Sequence, residues 1–203
     1  MIALMDGHTY LTFMAARAFP LPMESTDRLK HEHAIIKRVL AALKTCTERG
    51  DVPVAILKDL VTFSQTFVDR CHHGKEERCL FPCLEERGVP KEGGPIGVML
   101  MEHEMGRNLV RRIGETTWRV EAGEAGREEA VALVEDYVDL LENHIFKEDN
   151  ILFNMATQAM AATDDDHTTA CFEKTEEERV GPGVHDEMIA LVGRIEDSAP
   201  RKR

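Results

Sequence analysis

The sequence lacks several features, and each absence narrows the class of protein. It has no basic excess: 25 lysines and arginines stand against 37 aspartates and glutamates, which gives a formal net charge of −12. Because binding to nucleic acid or to an anionic membrane needs a basic face, we expect neither partner. No apolar run reaches the length of a membrane-spanning helix, and the first 20 residues have neither a basic start nor an unbroken apolar stretch. We therefore expect no spanning helix and no signal peptide.

The cysteines form no recognisable framework. There are five, an odd number, and no two are spaced as CxxC. This pattern predicts reduced thiols in a cytoplasmic protein, with neither a disulfide framework nor a cysteine zinc site. Cys79 and Cys83 are interpreted as small apolar fillers.

The apolar residues recur at helical spacing, and no segment alternates with a period of two. Four long amphipathic segments between Gly- and Pro-rich breaks predict an all-α protein, an antiparallel up-down four-helix bundle over residues 25–160. Residues 1–24 are predicted to be an N-terminal extension. Residues 161–203 are predicted to be an acidic linker and an extra C-terminal helix, and within them the DDD and EEE runs of 163–181 are interpreted as solvated.

One pattern, H-x-x-K-E-x-x-x-L-F, occurs twice. It begins at His72 and again 72 residues later at His144. A second pair, Glu32–His33, returns 70 residues later as Glu102–His103. Repeats at this separation predict a duplicated helical hairpin, so the polar groups of all four helices should meet at one level.

The repeated residues have the chemistry of a metal site. A His and a Glu four residues apart point to the same side of a helix, and here each pair lies within an apolar stripe. Burying such groups without partners is costly, so a shared metal explains them best. Four imidazoles and two carboxylates exceed one tetrahedral zinc and suit two bridged metals, with iron first and manganese second. The candidate ligands are His33, His72, Glu76, His103, His144 and Glu148.

The segments EHAIIKRVL, HHGKEERCLFP, MEHEMGRNLV and HIFKEDNILF occur in an order that resembles the hemerythrin-like, or HHE cation-binding, family. The resemblance implies a four-helix bundle with a non-haem di-iron centre, in which those six residues are ligands and the two glutamates bridge. Oxygen carriers of the family have a second histidine one turn from the third-helix ligand. Here Met99 and Arg107 occupy those positions, which implies an open coordination position and favours sensing or chemistry over oxygen carriage.

Several neighbours of the candidate ligands are open to more than one interpretation. His73 and Glu77 form an HxxxE pair offset by one residue, and the repeat favours His72 and Glu76 as the ligands. His73 and Glu77 are left as supporting or extra ligand residues, and a surface position is also open for His73. Tyr137 is interpreted as a core tyrosine with a paired hydroxyl, or as a group that contacts iron. His185 is interpreted as a residue near a helix cap, or as part of a helix that covers the open position. Glu32 and Glu102 could orient histidines only on a neighbouring helix.

Four functions follow from this reading. The leading one is a cytoplasmic di-iron protein that binds or reacts with dioxygen, peroxide or nitric oxide. The others are an oxidoreductase with turnover, a metal-responsive interaction module without turnover, and a purely structural bundle. Homo-oligomerisation is left open.

Overall fold

The computed structural model describes residues 23–124 and 126–200, and these are almost entirely helical. No strand occurs within those two ranges, so the all-α prediction is confirmed for them. None of their helices is long and apolar enough to cross a membrane. The helical stretches are α1 (Glu24–Thr47), α2 (residues 54–86), α3 (Pro95–Glu121), α4 (residues 127–159), α5 (Ala162–Arg179) and α6 (Val184–Ser198). The predicted extension of residues 1–24 lies outside the described residues except for its last two positions.

Helices α2 and α4 change winding where the repeated pattern lies. In α2 the segments are Val54–Phe63 (α), Ser64–His73 (π), Glu76–Leu80 (π) and Phe81–Glu86 (α); in α4 they are Arg127–Lys147 (α), Glu148–Leu152 (π) and Phe153–Ala159 (α). The π-helical turns at Glu76 and Glu148 are 72 residues apart, so the repeat extends to the backbone. π-helical turns are rare in proteins overall, and those that occur are often found at functional sites. The longer π-helical segment Ser64–His73 belongs to α2 alone.

The apolar core is divided into two clusters, and the repeated polar residues lie between them. On α1, for example, Leu29 belongs to one cluster and Ile36 to the other, and both are at most 2% exposed. His33 lies between them and is fully buried. On each of α1 to α4 the candidate ligands likewise lie between residues of the two clusters. The candidate ligands therefore lie at one level of the molecule, as the repeat predicts.

The acidic segment predicted to be a solvated linker is helix α5, so that prediction is wrong. Its apolar and hydroxyl residues, including Phe172 and Thr175, are buried against α1 and α2. Asp165 caps α1, because its carboxylate accepts hydrogen bonds from the backbone N–H groups of Glu24 (2.8 Å) and Ser25 (3.0 Å). The acidic run is therefore used for tertiary contacts, which sequence spacing alone does not reveal.

The last predicted helix is confirmed as α6. Its stripe of Met188, Leu191, Val192 and Ile195 is buried and belongs to the larger core cluster. Both α5 and α6 make their main contacts with α1 and α2. The C-terminal helices thus cover the first repeat. The division of the chain at residues 24 and 160 stays a prediction.

Candidate metal centre

The six residues predicted as ligands meet in the buried layer between the two core clusters. Within the described residues, the ligand atoms of each of two groups lie within 4.8 Å of one another: His33, His72, Glu76 and Glu148 in one, and His73, Glu76, His103 and His144 in the other. Glu76 belongs to both groups. All seven residues are at most 4% exposed.

The two carboxylates are oriented to bridge the groups. One oxygen of Glu76 lies 3.6 Å from His72 Nε2, and the other lies 3.5 Å from His103 Nε2. Glu148 Oε2 lies 3.1 Å from His33 Nε2 and 3.3 Å from His144 Nε2, so it also lies between the groups. This arrangement can hold two cations close together, with a carboxylate on each side.

A fifth histidine completes the second group, and this changes the expectation from the sequence. His73 was predicted as a supporting, surface or extra ligand residue, and the structure brings it into the cluster with its ring stacked on His103 at 3.7 Å between centroids. In an α-helix, His72 and His73 would point about 100° apart. Both rings nevertheless reach the cluster from the π-helical segment Ser64–His73, because His72 faces His33 of α1 and His73 faces His103 of α3. The open coordination position expected from the missing third-helix histidine is therefore offset by His73.

Several polar atoms in the cluster have no hydrogen-bond partner. Buried polar atoms are nearly always paired, and an unpaired one costs about 1–3 kcal/mol. A metal ion satisfies such groups together, so the residues present fit a metal. The atoms are both carboxylate oxygens of Glu76 and Glu148, Nε2 of His103 and His144, and Nδ1 of His73.

Each of the four repeated histidines is held through its other ring nitrogen. His72 Nδ1 donates to Glu32 at 2.9 Å, and Lys75 Nζ donates to the same carboxylate at 2.5 Å. The prediction that Glu32 and Glu102 reach only a neighbouring helix is thereby confirmed, since Glu102 accepts from His144 Nδ1 at 3.0 Å. Such hydrogen bonds fix the tautomer and leave Nε2 free to bind a metal.

The remaining two histidines use a second pair of carboxylates, which sequence reasoning missed or only partly assigned. His33 Nδ1 donates to Asp149 at 2.7 Å, and His103 Nδ1 donates to Glu77 at 2.7 Å. Cations hold these carboxylates in turn. The repeat carried the signal: Glu77 and Asp149 are 72 residues apart, and the cations that pair with them, Arg107 and Lys37, are 70 apart.

The protonation states suit metal binding. Burial lowers the pKa of His72 to about 4 and that of His73 well below its usual value, so both imidazoles are in the neutral form that binds metals. Burial and the nearby Glu148 carboxylate raise the pKa of Glu76 well above its usual range. Although burial opposes ionisation, the surrounding histidines lower the pKa of Glu148. Glu76 therefore holds a proton in the metal-free protein, and a bound cation would take its place.

Two other candidates lie outside the cluster. Tyr137 is a buried core tyrosine, and its hydroxyl donates to Ser64 Oγ at 2.8 Å. This agrees with the interpretation of Tyr137 as a core tyrosine with a paired hydroxyl. His185 is placed against Phe67, at 5.8 Å between ring centroids, and does not join either ligand group. The structure therefore does not bring His185 to an open coordination position.

A cavity of about 240 Å³ borders the second ligand group. His73 forms part of its wall, and helices α2, α3 and α4 supply the rest. The lining is mixed: Val68, Val110 and Leu141 are apolar, and the Ser64–Tyr137 hydroxyl pair is polar. Further polar and charged lining residues are Gln65, Asp69, Arg107 and Arg111.

Helix α5 is linked covalently to α2 near the centre, which corrects the prediction of reduced thiols for two cysteines. Cys79, three residues after Glu76, forms a disulfide with Cys171. The interpretation of Cys79 as an apolar filler is therefore wrong. Its partner lies 92 residues away in the segment predicted to be a linker, so spacing could not indicate the pair. Cys46, Cys71 and Cys83 are free thiols.

The chain belongs to the hemerythrin HHE cation-binding domain family, whose model matches residues 24–156. This range includes every residue of both ligand groups. The chain is thus a member of a cation-binding family, and its buried His/Glu clusters are able to hold metal.

Individual relatives add more limited information. The uncharacterized protein Rv1995 of Mycobacterium tuberculosis is 25% identical over 183 residues, which is 88% of this chain and 71% of the relative. The iron-sulfur cluster repair protein YtfE of Cronobacter sakazakii is 30% identical over 133 residues, or 63% of this chain and 59% of the relative. The iron-sulfur cluster repair protein DnrN of Neisseria gonorrhoeae is 37% identical over 86 residues, or 40% and 54%. No solved structure gives a significant match.

Proposed function

We propose that the cluster holds two iron ions bridged by Glu76 and Glu148, within an up-down antiparallel bundle of α1 to α4. The observation that carries this proposal is the convergence of five buried imidazoles and two buried carboxylates, of which three imidazoles and both carboxylates have ligand atoms without a hydrogen-bond partner. Mixed imidazole and carboxylate ligation favours iron, with manganese as the less favoured alternative. The names of the YtfE and DnrN relatives, which associate those proteins with iron–sulfur clusters, agree with a role that involves iron.

The function that this site supports best is a non-haem di-iron protein of oxidative or nitrosative stress that reacts with dioxygen, peroxide or nitric oxide. Bound iron would supply the change of oxidation state that such chemistry needs. The cytoplasmic location remains part of this proposal, although the Cys79–Cys171 disulfide removes the argument from reduced thiols at those two positions.

The residues of the chain have three roles in it. The carboxylates Glu32, Glu77, Glu102 and Asp149 hold the imidazoles in one tautomer, so the ligand nitrogens are aligned before metal binds. The cavity beside His73 has room for a small molecule next to the second ligand group. The hydroxyl of Ser64 accepts from Tyr137, which leaves its own proton free to donate into the cavity.

Turnover is tested with the iron-loaded full chain and excess reductant. We expect consumption of nitric oxide or hydrogen peroxide well beyond one equivalent per site, and loss of that activity in His144→Ala. Binding of one equivalent without further consumption would contradict the enzymatic form of the proposal.

Entry through the cavity is tested separately with glycines of α3. Gly106 lines the cavity, and an added Cβ would meet only Leu140 Cδ2, at 3.9 Å, so there is space for the first carbon of the side chain that Gly106→Val introduces. Gly114 on the same helix is the matched control, since its Cβ would meet Val61 at 3.9 Å outside the cavity. We expect Gly106→Val to slow the association of nitric oxide at least about tenfold. The association rate in Gly114→Val and the metal content of both variants should equal those of the wild type.

One observation favours a second function, a metal-responsive module without turnover. Lys75 is 4% exposed and joins Glu32, which holds the His72 ring, to Glu176 of α5 at 2.9 Å. Loss of metal would release His72 and weaken this link to α5. The alternative predicts faster amide hydrogen exchange in α5 on metal removal and no consumption of either small molecule.

A further inference from the structure

Five large apolar residues are exposed on one face of α3 and α4. They are partly or largely accessible, with Phe146 at 63% and Met101 at 57%. On α3 the three residues recur at spacings of three and four, and α3 packs against α4. Several large apolar residues exposed on two packed helices indicate a candidate interaction site. We call this surface the α3–α4 face; its residues are Val98, Met101, Met105, Phe146 and Ile151.

The internal repeat shows what covers the equivalent surface of the first hairpin. Subtracting 70 residues on α3 or 72 on α4 maps the five positions to Arg28, His31, Ile35, Gly74 and Cys79. Of these, Cys79 is bonded to Cys171 of α5, and Arg28 contacts Glu173 of α5 at 3.4 Å.

The other three equivalent positions are also covered or lie beside the C-terminal helices. A Cβ on Gly74 would lie 3.7 Å from Thr175 Cγ2 of α5. His31 lines a groove together with Glu176 of α5 and His185 of α6, and Ile35 is only 5% exposed. Within the described chain, α5 and α6 thus complete the first hairpin, and no helix occupies the same place on the second.

The charges of the two faces differ, which excludes a second α5 as the occupant. On the first hairpin, Arg28 and Arg78 pair with glutamates of the acidic helix α5. Their counterparts on the second hairpin are Val98 and Asn150, which cannot pair with it. A surface that binds the α3–α4 face must therefore have apolar residues at the positions where α5 has the glutamates that pair with Arg28 and Arg78.

The α3–α4 face is itself complementary to such a surface. A groove of about 770 Å³ lies between the two helices, and Met101, Met105, Leu109 and Leu140 are its apolar lining residues, beside six polar ones. Phe146, three residues after Asn143 of the groove, is 63% exposed, so the face offers both a large apolar side chain and a groove. An isologous interface requires this kind of self-complementarity, and twofold dimers are the commonest oligomers.

The charge of the face permits two copies to approach. Although the chain carries −12, Lys147 is paired with Glu102, and Glu104 is paired with Arg107. The remaining groove carboxylates, Asp136 and Asp139, lie towards one end with Leu109 and Leu140. A twofold axis across the groove carries them to the partner's opposite end, away from the partner's own pair.

We propose that a second copy of this chain docks on the α3–α4 face and forms a twofold dimer through Met101, Met105 and Phe146. In this dimer the partner covers the exposed face of the second hairpin, as α5 and α6 cover the equivalent face of the first hairpin. It is independent of the reaction at the metal centre.

The test is sedimentation equilibrium of the full metal-loaded chain. We expect a dimer whose dissociation constant rises at least about 30-fold in Met105→Glu, because central apolar anchors dominate such interfaces. The matched control is Trp118→Glu, since Trp118 is 74% exposed on the same helix but outside the face. We expect less than about a threefold change in that control.

Two results overturn the proposal. One is a wild-type chain that stays monomeric up to about 100 µM, a weak limit for a specific dimer. The other is a dimer that is weakened by Trp118→Glu and left intact by Met105→Glu. The milder variant Met105→Gln, with circular dichroism and metal content measured alongside, separates loss of the interface from loss of the fold.

Discussion

Replacement of His73 by isoleucine should change stability in opposite directions with and without metal. Isoleucine is the residue that the second repeat has at the equivalent position, Ile145, which is buried at 1% exposure. In the metal-free protein the substitution removes a buried imidazole whose Nδ1 has no hydrogen-bond partner. In the metal-loaded protein it removes one of the three imidazoles of the second ligand group.

The expected magnitudes follow from these two losses. Removing an unpaired buried polar group stabilises the metal-free protein by about 1–3 kcal/mol, or about 2–4 °C in Tm for each kcal/mol in a chain of this size. Loss of the imidazole should weaken metal binding at the second position at least about tenfold. Each tenfold loss in affinity removes about 1.4 kcal/mol of the stabilisation that metal provides.

The assay is thermal unfolding of wild type and His73→Ile, each with chelator and with added ferrous iron under anaerobic conditions. We expect the variant to unfold at a higher temperature than wild type with chelator, and to gain less from iron. The control is His31→Ala, since His31 is exposed and outside both ligand groups. If His73→Ile gains as much from iron as wild type does, His73 is a core histidine and the seven-residue centre is wrong.

Three further predictions concern the groups around the centre. Glu32→Gln and Glu102→Gln should each lower metal affinity about 10–100-fold in calorimetric titrations, because each carboxylate orients a histidine; unchanged affinity in both would refute that role. Although burial opposes ionisation, hydrogen bonds and opposite charges hold the pKa of Glu32 at about 2, below its unfolded value of about 4.3. Between these two pH values the unfolded chain binds more protons than the folded chain. The contribution of Glu32 to the stability of the metal-free protein is therefore present above about pH 4.3 and is lost towards pH 2. In urea unfolding between pH 6 and pH 3, the free energy of unfolding should fall less steeply for Glu32→Gln than for wild type. Reduction of the Cys79–Cys171 disulfide, whose cysteines are 92 residues apart, should lower the free energy of unfolding by about 4–5 kcal/mol in the chain-entropy model. As a control, Cys83→Ala should leave the effect of reductant unchanged. A loss below about 1 kcal/mol would contradict this prediction.

The ligands were predictable because the sequence states them twice. The 70- and 72-residue offsets selected His33, His72, His103 and His144, and the same offsets relate the carboxylates that hold them. Helical spacing was sufficient here, since these residues occupy ordinary positions on amphipathic stripes.

His73 could not be selected in the same way. Its counterpart is Ile145, so the repeat argued against it, and α-helical geometry turned its ring away from that of His72. In the fold, His72 faces His33 of α1 and His73 stacks on His103 of α3, so two adjacent rings reach the cluster from a helix with neighbours on both sides. The identity of those neighbours leaves no clear signal in the order of apolar and polar residues.

The C-terminal cover was missed for a different reason. Helix α5 has little amphipathic pattern, and its acidic residues suggested solvent. Their partners are distant in sequence: Asp164 pairs with Arg87, Glu176 with Lys75, and Cys171 with Cys79. Contacts between segments about 77 to 101 residues apart depend on the folded arrangement, which local patterns do not encode.

The proposed function depends on a dinuclear iron centre held by five histidines and two glutamates. Metal analysis and Mössbauer spectroscopy of the purified chain, before and after exposure to oxygen, test this centre. We expect about two irons per chain with the spectrum of a coupled pair, and about one iron without coupling in His73→Ile. One zinc per chain, or no bound metal after iron reconstitution, would contradict it.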